Sequence, residues 1–246
     1  MIEAKKISVN QKAWSLATKI CDSPEEYRVI VKKTKLGTTI IDAGVKAQGG
    51  TQAGKIITEI CLGGYGTVEV FPAQYSDINL PSVFVYTDYP AISTMGSQFA
   101  DWRIKAGDYL AIGSGPARAL ARKNKELYEK IGYEDEADVA VLVLETSKEP
   151  QDQVIEQISK DCKIAPESLM LVLVPTTSVV GSTQVSGRIV ETGLHKLMQL
   201  GLDPKLVLHA FGSAPIAPVH PRFFEAMGRT NDAILYAGVT NYDVFG

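Results

Sequence analysis

Apolar positions along the chain switch between two periods. From Ser8 to about Asp22, Ala, Trp and Leu recur at helical spacing and predict a first helix. The runs EEYRVIVKKTKLG and TTIIDAG alternate or are rich in β-branched residues, and predict two strands joined by a turn at Lys35–Gly37. Gly49 and Gly50 break the chain, and Thr51–Cys61 is an amphipathic helix stopped by Gly63–Gly64. GTVEVFP and PSVFVYTD predict two short strands with a loop between them. A helix over Ala119–Lys130 follows. Val139–Leu144 and Ser168–Val174 are strands apolar enough to be buried on both faces, separated by a helix over Gln151–Asp161. One continuous helix is expected from Val185 to about Leu200, with Ile189, Val190, Leu194 and Leu197 on neighbouring turns. The last segment, AILYAGVTNYDVFG, reads as a strand entering a turn, without a closing element. Helices alternating with buried strands define an α/β protein. The charged, Pro-containing stretch Lys148–Gln151 predicts a boundary between an N-terminal region, 1–148, and a C-terminal region, 149–246.

Composition narrows the function classes. The 246 residues are enough for one large or two modest domains. A net charge of −3 provides no general attraction for nucleic acid, and no basic stripe is visible. No apolar run reaches the roughly 20 residues of a membrane span, and the start lacks a signal-peptide core. Cys21, Cys61 and Cys162 stand far apart, without CxxC spacing or a neighbouring histidine, which speaks against a disulfide framework or a zinc site and suits a reducing cytoplasm.

Four segments could carry chemistry. Gly113-Ser114-Gly115-Pro116-Ala117-Arg118 leads from YLAI into a helical pattern. It is either an anion cradle with Arg118 beside it or a tight turn with an exposed arginine, and the Walker A spacing is absent. In PTTSVVGSTQVSGRIVE, from Pro175, a strand runs into a loop of hydroxyls and glycines, the usual ligand position in open α/β sheets. Arg188 and Glu191 are three apart on the helix that follows, so they share a face. They form either a surface ion pair or a carboxylate and guanidinium over one ligand. STMGSQFADW, from Ser93, suits recognition of a heteroaromatic ring, or equally a helix start capped by Ser97 with Phe99 and Trp102 in the core. The stretch His209–Asp232 reads as an irregular, proline-stiffened loop. His195, His209 and His220 show no HExxH spacing, and GxSxG is missing, so packing or surface placement is the expectation for each histidine.

Taken together, ICLGGYGTVEV, GSQFADW, AIGSGPARAL, YEDEADVAVLVLE, PTTSVVGSTQVSGRIVE, GSAPIAPVHP and MGRTNDAILYAG resemble the methenyltetrahydromethanopterin cyclohydrolases, in order, from about Asp42 to Tyr236. The resemblance implies a two-domain α/β arrangement with the substrate pocket between domains, and a cytoplasmic homo-oligomer, such as a trimer. It implies reversible hydrolysis of N5,N10-methenyl-tetrahydromethanopterin to the formyl derivative, with no metal or redox cofactor. The RxxE pair of the family falls on Arg188 and Glu191, as positioning cation and acid–base. Ser97, Gln98, Thr176 and Ser182 are expected to line the pterin site. Gly113, Ser114, Gly115 and Arg118 are expected to form a turn near the anionic end of the substrate. Two departures from the family's pattern stand out. Members usually continue well past Gly246, and those of methanogens often carry lysine where Phe99 stands. The alternative is a pterin-binding protein without turnover.

Overall fold

The computed structural model describes residues 7–246. Two sheets carry the architecture. The first is six-stranded, in the order β1-β2-β8-β7-β6-β5, with β1 Ile30–Lys33, β2 Thr39–Asp42, β5 Trp102–Ala106, β6 Tyr109–Ser114, β7 Ala140–Glu145 and β8 Leu169–Leu173. Its centre, β2-β8-β7, is parallel, and antiparallel strands complete both edges. The period-2 alternation sorts its side chains. Ile41, Val141, Val143 and Val172 pack under helices α1 (Val9–Asp22) and α3 (Thr51–Cys61), between which the chain makes the one-turn α2 (Pro24–Tyr27), whereas Ile40, Leu142, Leu144 and Leu171 meet α6 (Asp152–Cys162) on the other face.

The second sheet is antiparallel, in the order β10-β9-β4-β3: β3 Thr67–Tyr75, β4 Ile78–Thr87, β9 Val207–Pro215 and β10 Val239–Val244. Its inner residues Val68, Val83, Val85 and Ala210 pack on α8 (Ile189–Gln199) and on Ile234 of α9 (Phe223–Ala237). Both sheets draw strands from either side of residue 148: β8 pairs with β2 and β7, and β9 pairs with β4. The expected division at 148/149 therefore runs through both sheets, because the charged segment there is only the connection from β7 to α6.

Four local expectations change. The helix expected from Val185 to Leu200 is two helices, α7 (Val179–Ser186) and α8, broken at Gly187–Arg188. The helix expected over Ala119–Lys130 is also split, into α4 (Ala117–Ala121) and α5 (Lys125–Ile131). Arg122 takes a left-handed conformation, φ 45°, and the Asn124 side chain caps α5 by accepting from Leu127 N–H at 3.2 Å. His209 lies in β9, Pro218 and Pro221 lie in the following connection, and α9 takes the end of the expected loop and the start of the expected final strand. Gly238 ends that helix, and β10 comes only after it. Ser93–Gln98 is neither a helix start nor a loop. It ends a π-helical segment, Ala91–Gln98, and Ser97 stands in its last turn.

Helices α3 and α7 approach closely because each offers a glycine to the other's threonine. A Cβ on Gly54 would lie 2.5 Å from Thr183 Cβ, and one on Gly187 would lie 2.3 Å from Thr58 Cγ2. Residues four apart on a helix share a face, so these two pairs form one continuous contact. It sets the end of α3, at Cys61, beside the break that carries Arg188.

Candidate active site

Ser178 starts α7 by accepting from Gly181 N–H at 3.0 Å, and the helix closes with Gly187 N–H donating to Thr183 C=O at 2.9 Å. Arg188 then turns the chain, and its own carbonyl accepts from Thr192 N–H at 2.8 Å to begin α8. Glu191 is thereby placed in the first turn of α8, where the positive end of the helix dipole favours a carboxylate. Arg188 Nη2 reaches Glu191 Oε2 at 2.5 Å. Glu191 is 3% exposed and Arg188 17%, so this is not the surface pair that the spacing alone allows.

The π-helical segment closes over this break. Gln98 donates from Nε2 to Gly187 C=O at 3.1 Å, and its backbone carbonyl accepts from Ser114 Oγ at 2.6 Å. Ser97 Oγ donates to Cys61 C=O at 2.6 Å. Burial pushes the Cys61 thiol up to about 11, against the lowering effects of Ser114 and of the Arg188 charge, and its Sγ lies 4.0 Å from Gln184 Oε1. On the far side, Tyr242 Oη donates to Val190 C=O at 2.8 Å. Burial, opposed by a bond from Thr240 and reinforced by the Glu191 charge, pushes that phenol up to about 12. One turn beyond Glu191, the His195 ring lies 4.8 Å from the Phe99 ring.

The residues singled out from sequence fall into three places. Arg188, Glu191, Ser97, Gln98 and Ser114 meet at the break. Gly113 is an inner residue of β6, opposite Trp102 and Leu144, and it supports that group from behind. Gly115 N–H donates to Ser97 C=O at 2.9 Å, and Arg118, 2% exposed, contacts Asp101 at 2.5 Å through Nε and the carbonyls of Met95 and Ser97 through Nη1. The turn after β6 thus spends these donors on the end of the π-helical segment. Arg118 is neither a free anion ligand nor a solvent-exposed arginine.

Thr176 lies elsewhere. Its hydroxyl bonds to the Glu145 carboxylate, and both line a cleft of about 460 Å³ at the carboxyl ends of β7 and β8, walled by Leu110, Ile112, Phe223 and Met227. Among the described residues, neither Arg188 nor Glu191 lines that cleft. Ser182 donates to Ala217 C=O at 2.6 Å and ties α7 to the connection after β9. Cys61, Gln184 and Tyr242 were not singled out from sequence. The partners of Cys61 come from 36 and 123 positions away, and only Gln184, four before Arg188 on the helical repeat, carried a local signal.

A buried carboxylate held by a guanidinium at a helix break, inside an α/β fold, is the arrangement of a candidate acid–base enzyme site. Comparison makes this specific. The Cyclohydrolase (MCH) family model matches residues 8–246, and the chain belongs to that family. It is 48% identical over 239 residues to the methenyltetrahydromethanopterin cyclohydrolase of Methanocaldococcus jannaschii, covering 96% of this chain and 74% of that protein. It is 46% identical to the protein of the same name from Methanothermobacter marburgensis, with 96% and 75% covered, and 44% identical to that of Methanosarcina barkeri, with 97% and 74% covered.

Proposed function

We propose that the chain hydrolyses N5,N10-methenyl-tetrahydromethanopterin to formyl-tetrahydromethanopterin, reversibly, with Glu191 as acid–base and Arg188 as its positioning cation. The observation that carries this reading is the buried Arg188–Glu191 pair at the α7–α8 break in a chain of this family.

The chemistry matches the residues. The methenyl carbon lies between two nitrogens in an amidinium-like cation and is electrophilic without further activation, so the reaction requires neither a Lewis acid nor an electron carrier. Water adds to that carbon as Glu191 takes one of its protons. The neutral adduct collapses when Glu191 returns the proton to one nitrogen and the C–N bond breaks. The hydroxyl proton leaves as the formyl C=O forms, so each turnover releases one proton. Arg188 fixes the direction of the carboxylate. An ionised Glu191 also attracts the cationic substrate, although ground-state attraction alone does not raise turnover.

Ser97, Ser114 and Gln98, tied to the break through the contact of Gln98 with Gly187, are the proposed pterin-facing group. Thr176 and the 460 Å³ cleft stand at the opposite end of α7 and suit a more distal part of an elongated substrate. Among the described residues no helix is long and apolar enough to cross a membrane. A cytoplasmic homo-oligomer, such as a trimer, is the proposed working form.

The test is the near-ultraviolet absorbance of methenyl-tetrahydromethanopterin with the purified chain. Loss of the methenyl band with release of one proton per turnover is the expected result. Tight binding with a stable band would instead support a pterin-binding protein without turnover.

A further inference from the structure

Gln98 is fully buried, and its two amide ends have different fates. Nε2 donates to Gly187 C=O at 3.1 Å, which fixes the orientation of the amide, because a carbonyl oxygen cannot bond to another carbonyl oxygen. Oε1 is left buried with no protein partner. An acceptor left buried and unpaired is costly, and Oε1 is the end of this amide still able to take a donor.

Its surroundings are built to keep it there. Ser114 Oγ holds its backbone carbonyl at 2.6 Å, and Gly115 N–H and Ser97 Oγ tie the preceding residue to β6 and α3. It closes a π-helical segment, a geometry that recurs at functional sites. Gly187 is pinned from the other side by Thr58 and is followed at once by Arg188.

We propose that Gln98 is a positioning residue for the hydrolysis assigned above: its N–H locks the Gly187 peptide and so aims Arg188 at Glu191, while its free Oε1 accepts a hydrogen bond from an N–H or O–H of the bound substrate–water pair. The inference rests on that hydrolysis reading.

The experiment compares kcat and KM for methenyl-tetrahydromethanopterin in wild type, Gln98→Met and Gln98→Glu, with thermal midpoints measured alongside. Gln98→Met keeps the volume and removes both hydrogen bonds. It is expected to lower kcat about 10- to 100-fold with the midpoint within a few degrees of wild type. An unchanged KM would identify the donor as the attacking water, and a raised KM would identify it as the substrate. Gln98→Glu keeps an acceptor but loses the N–H to Gly187, so its kcat stays low. A folded Gln98→Met with kcat and KM within about twofold of wild type would overturn the inference, as would full kcat in Gln98→Glu. Should Gln98→Met not fold, a crystal structure of the wild type with the unreactive methylene analogue decides. A donor within about 3.2 Å of Oε1 supports the inference, and an Oε1 facing only carbon overturns it. A wild type without any turnover is a different failure, that of the hydrolysis reading itself.

Discussion

At Arg188 and Glu191, the pair proposed for catalysis is also a buried ion pair, and substitutions can separate the two roles. Arg188→Ala leaves a carboxylate that is 3% exposed without its cation, which is the costly way to break a buried pair. It is expected to lose activity and also about 3 kcal/mol of stability, read from a denaturant midpoint. Arg188→Lys keeps the charge but not the planar fork, so turnover should fall at least about tenfold while most of the stability remains. The i,i+3 spacing of this pair was legible in the sequence, and the family resemblance identified it. Its burial was not legible, because the groups that cover it arrive from the π-helical segment, about 90 positions earlier. Arg118 was misread for the same reason. Its partners at Asp101, Met95 and Ser97 follow from tertiary closure, which no local pattern records.

Among the elements, α3 and α7 decide the shape of the site. Gly54→Ala puts a methyl where Thr183 already stands, at 2.5 Å, and overpacking of this kind costs about 1–3 kcal/mol. The variant should melt earlier, and its kcat should fall more than its KM rises, since the displaced helix is the one leading to Arg188. A variant with wild-type melting would mean that the helices separate freely at this contact. The strands of the central sheet were the most legible elements: Val139–Leu144 and Ser168–Val174 match β7 and β8 to within a residue or two. Their burial on both faces leaves a continuous apolar signal. The α7–α8 break was the least legible. Apolar periodicity continues across Gly187 and Arg188, and the reason for the interruption, Thr58 and Gln98 pressing on Gly187, lies in other elements. Strand β5 likewise escaped the pattern, because the aromatic and amide groups before it suggested a recognition loop.

Over the whole molecule, burial holds several acids in their neutral forms. Cys61 is pushed up to about 11, and Cys162, Tyr109 and Tyr242 to about 12, from ordinary values of 9.0 for thiols and 10.0 for phenols. The folded chain keeps these protons while the unfolded chain releases them. Their contribution to stability is therefore complete below about pH 9 and is lost as pH rises through the folded values. Urea midpoints should fall steadily between about pH 9 and pH 12, and a flat profile would contradict the burial of these groups. A thiol reagent near neutral pH should reach the half-buried Cys21 before Cys61 or Cys162, and unfolding should expose all three. The α/β class and the family were both legible in the sequence. The interleaving of the two sheets was not, because β9 and β10 return to pair beside β4 from beyond the expected boundary.

The most direct test of the account is turnover of methenyl-tetrahydromethanopterin by the wild type and by Glu191→Gln, measured side by side at equal folded concentration. If Glu191 moves the proton, the wild type clears the methenyl band, and Glu191→Gln is slower by about 10²–10⁴-fold with its melting midpoint little changed. Near-normal turnover by Glu191→Gln would remove Glu191 from the mechanism and leave the buried pair a purely structural feature.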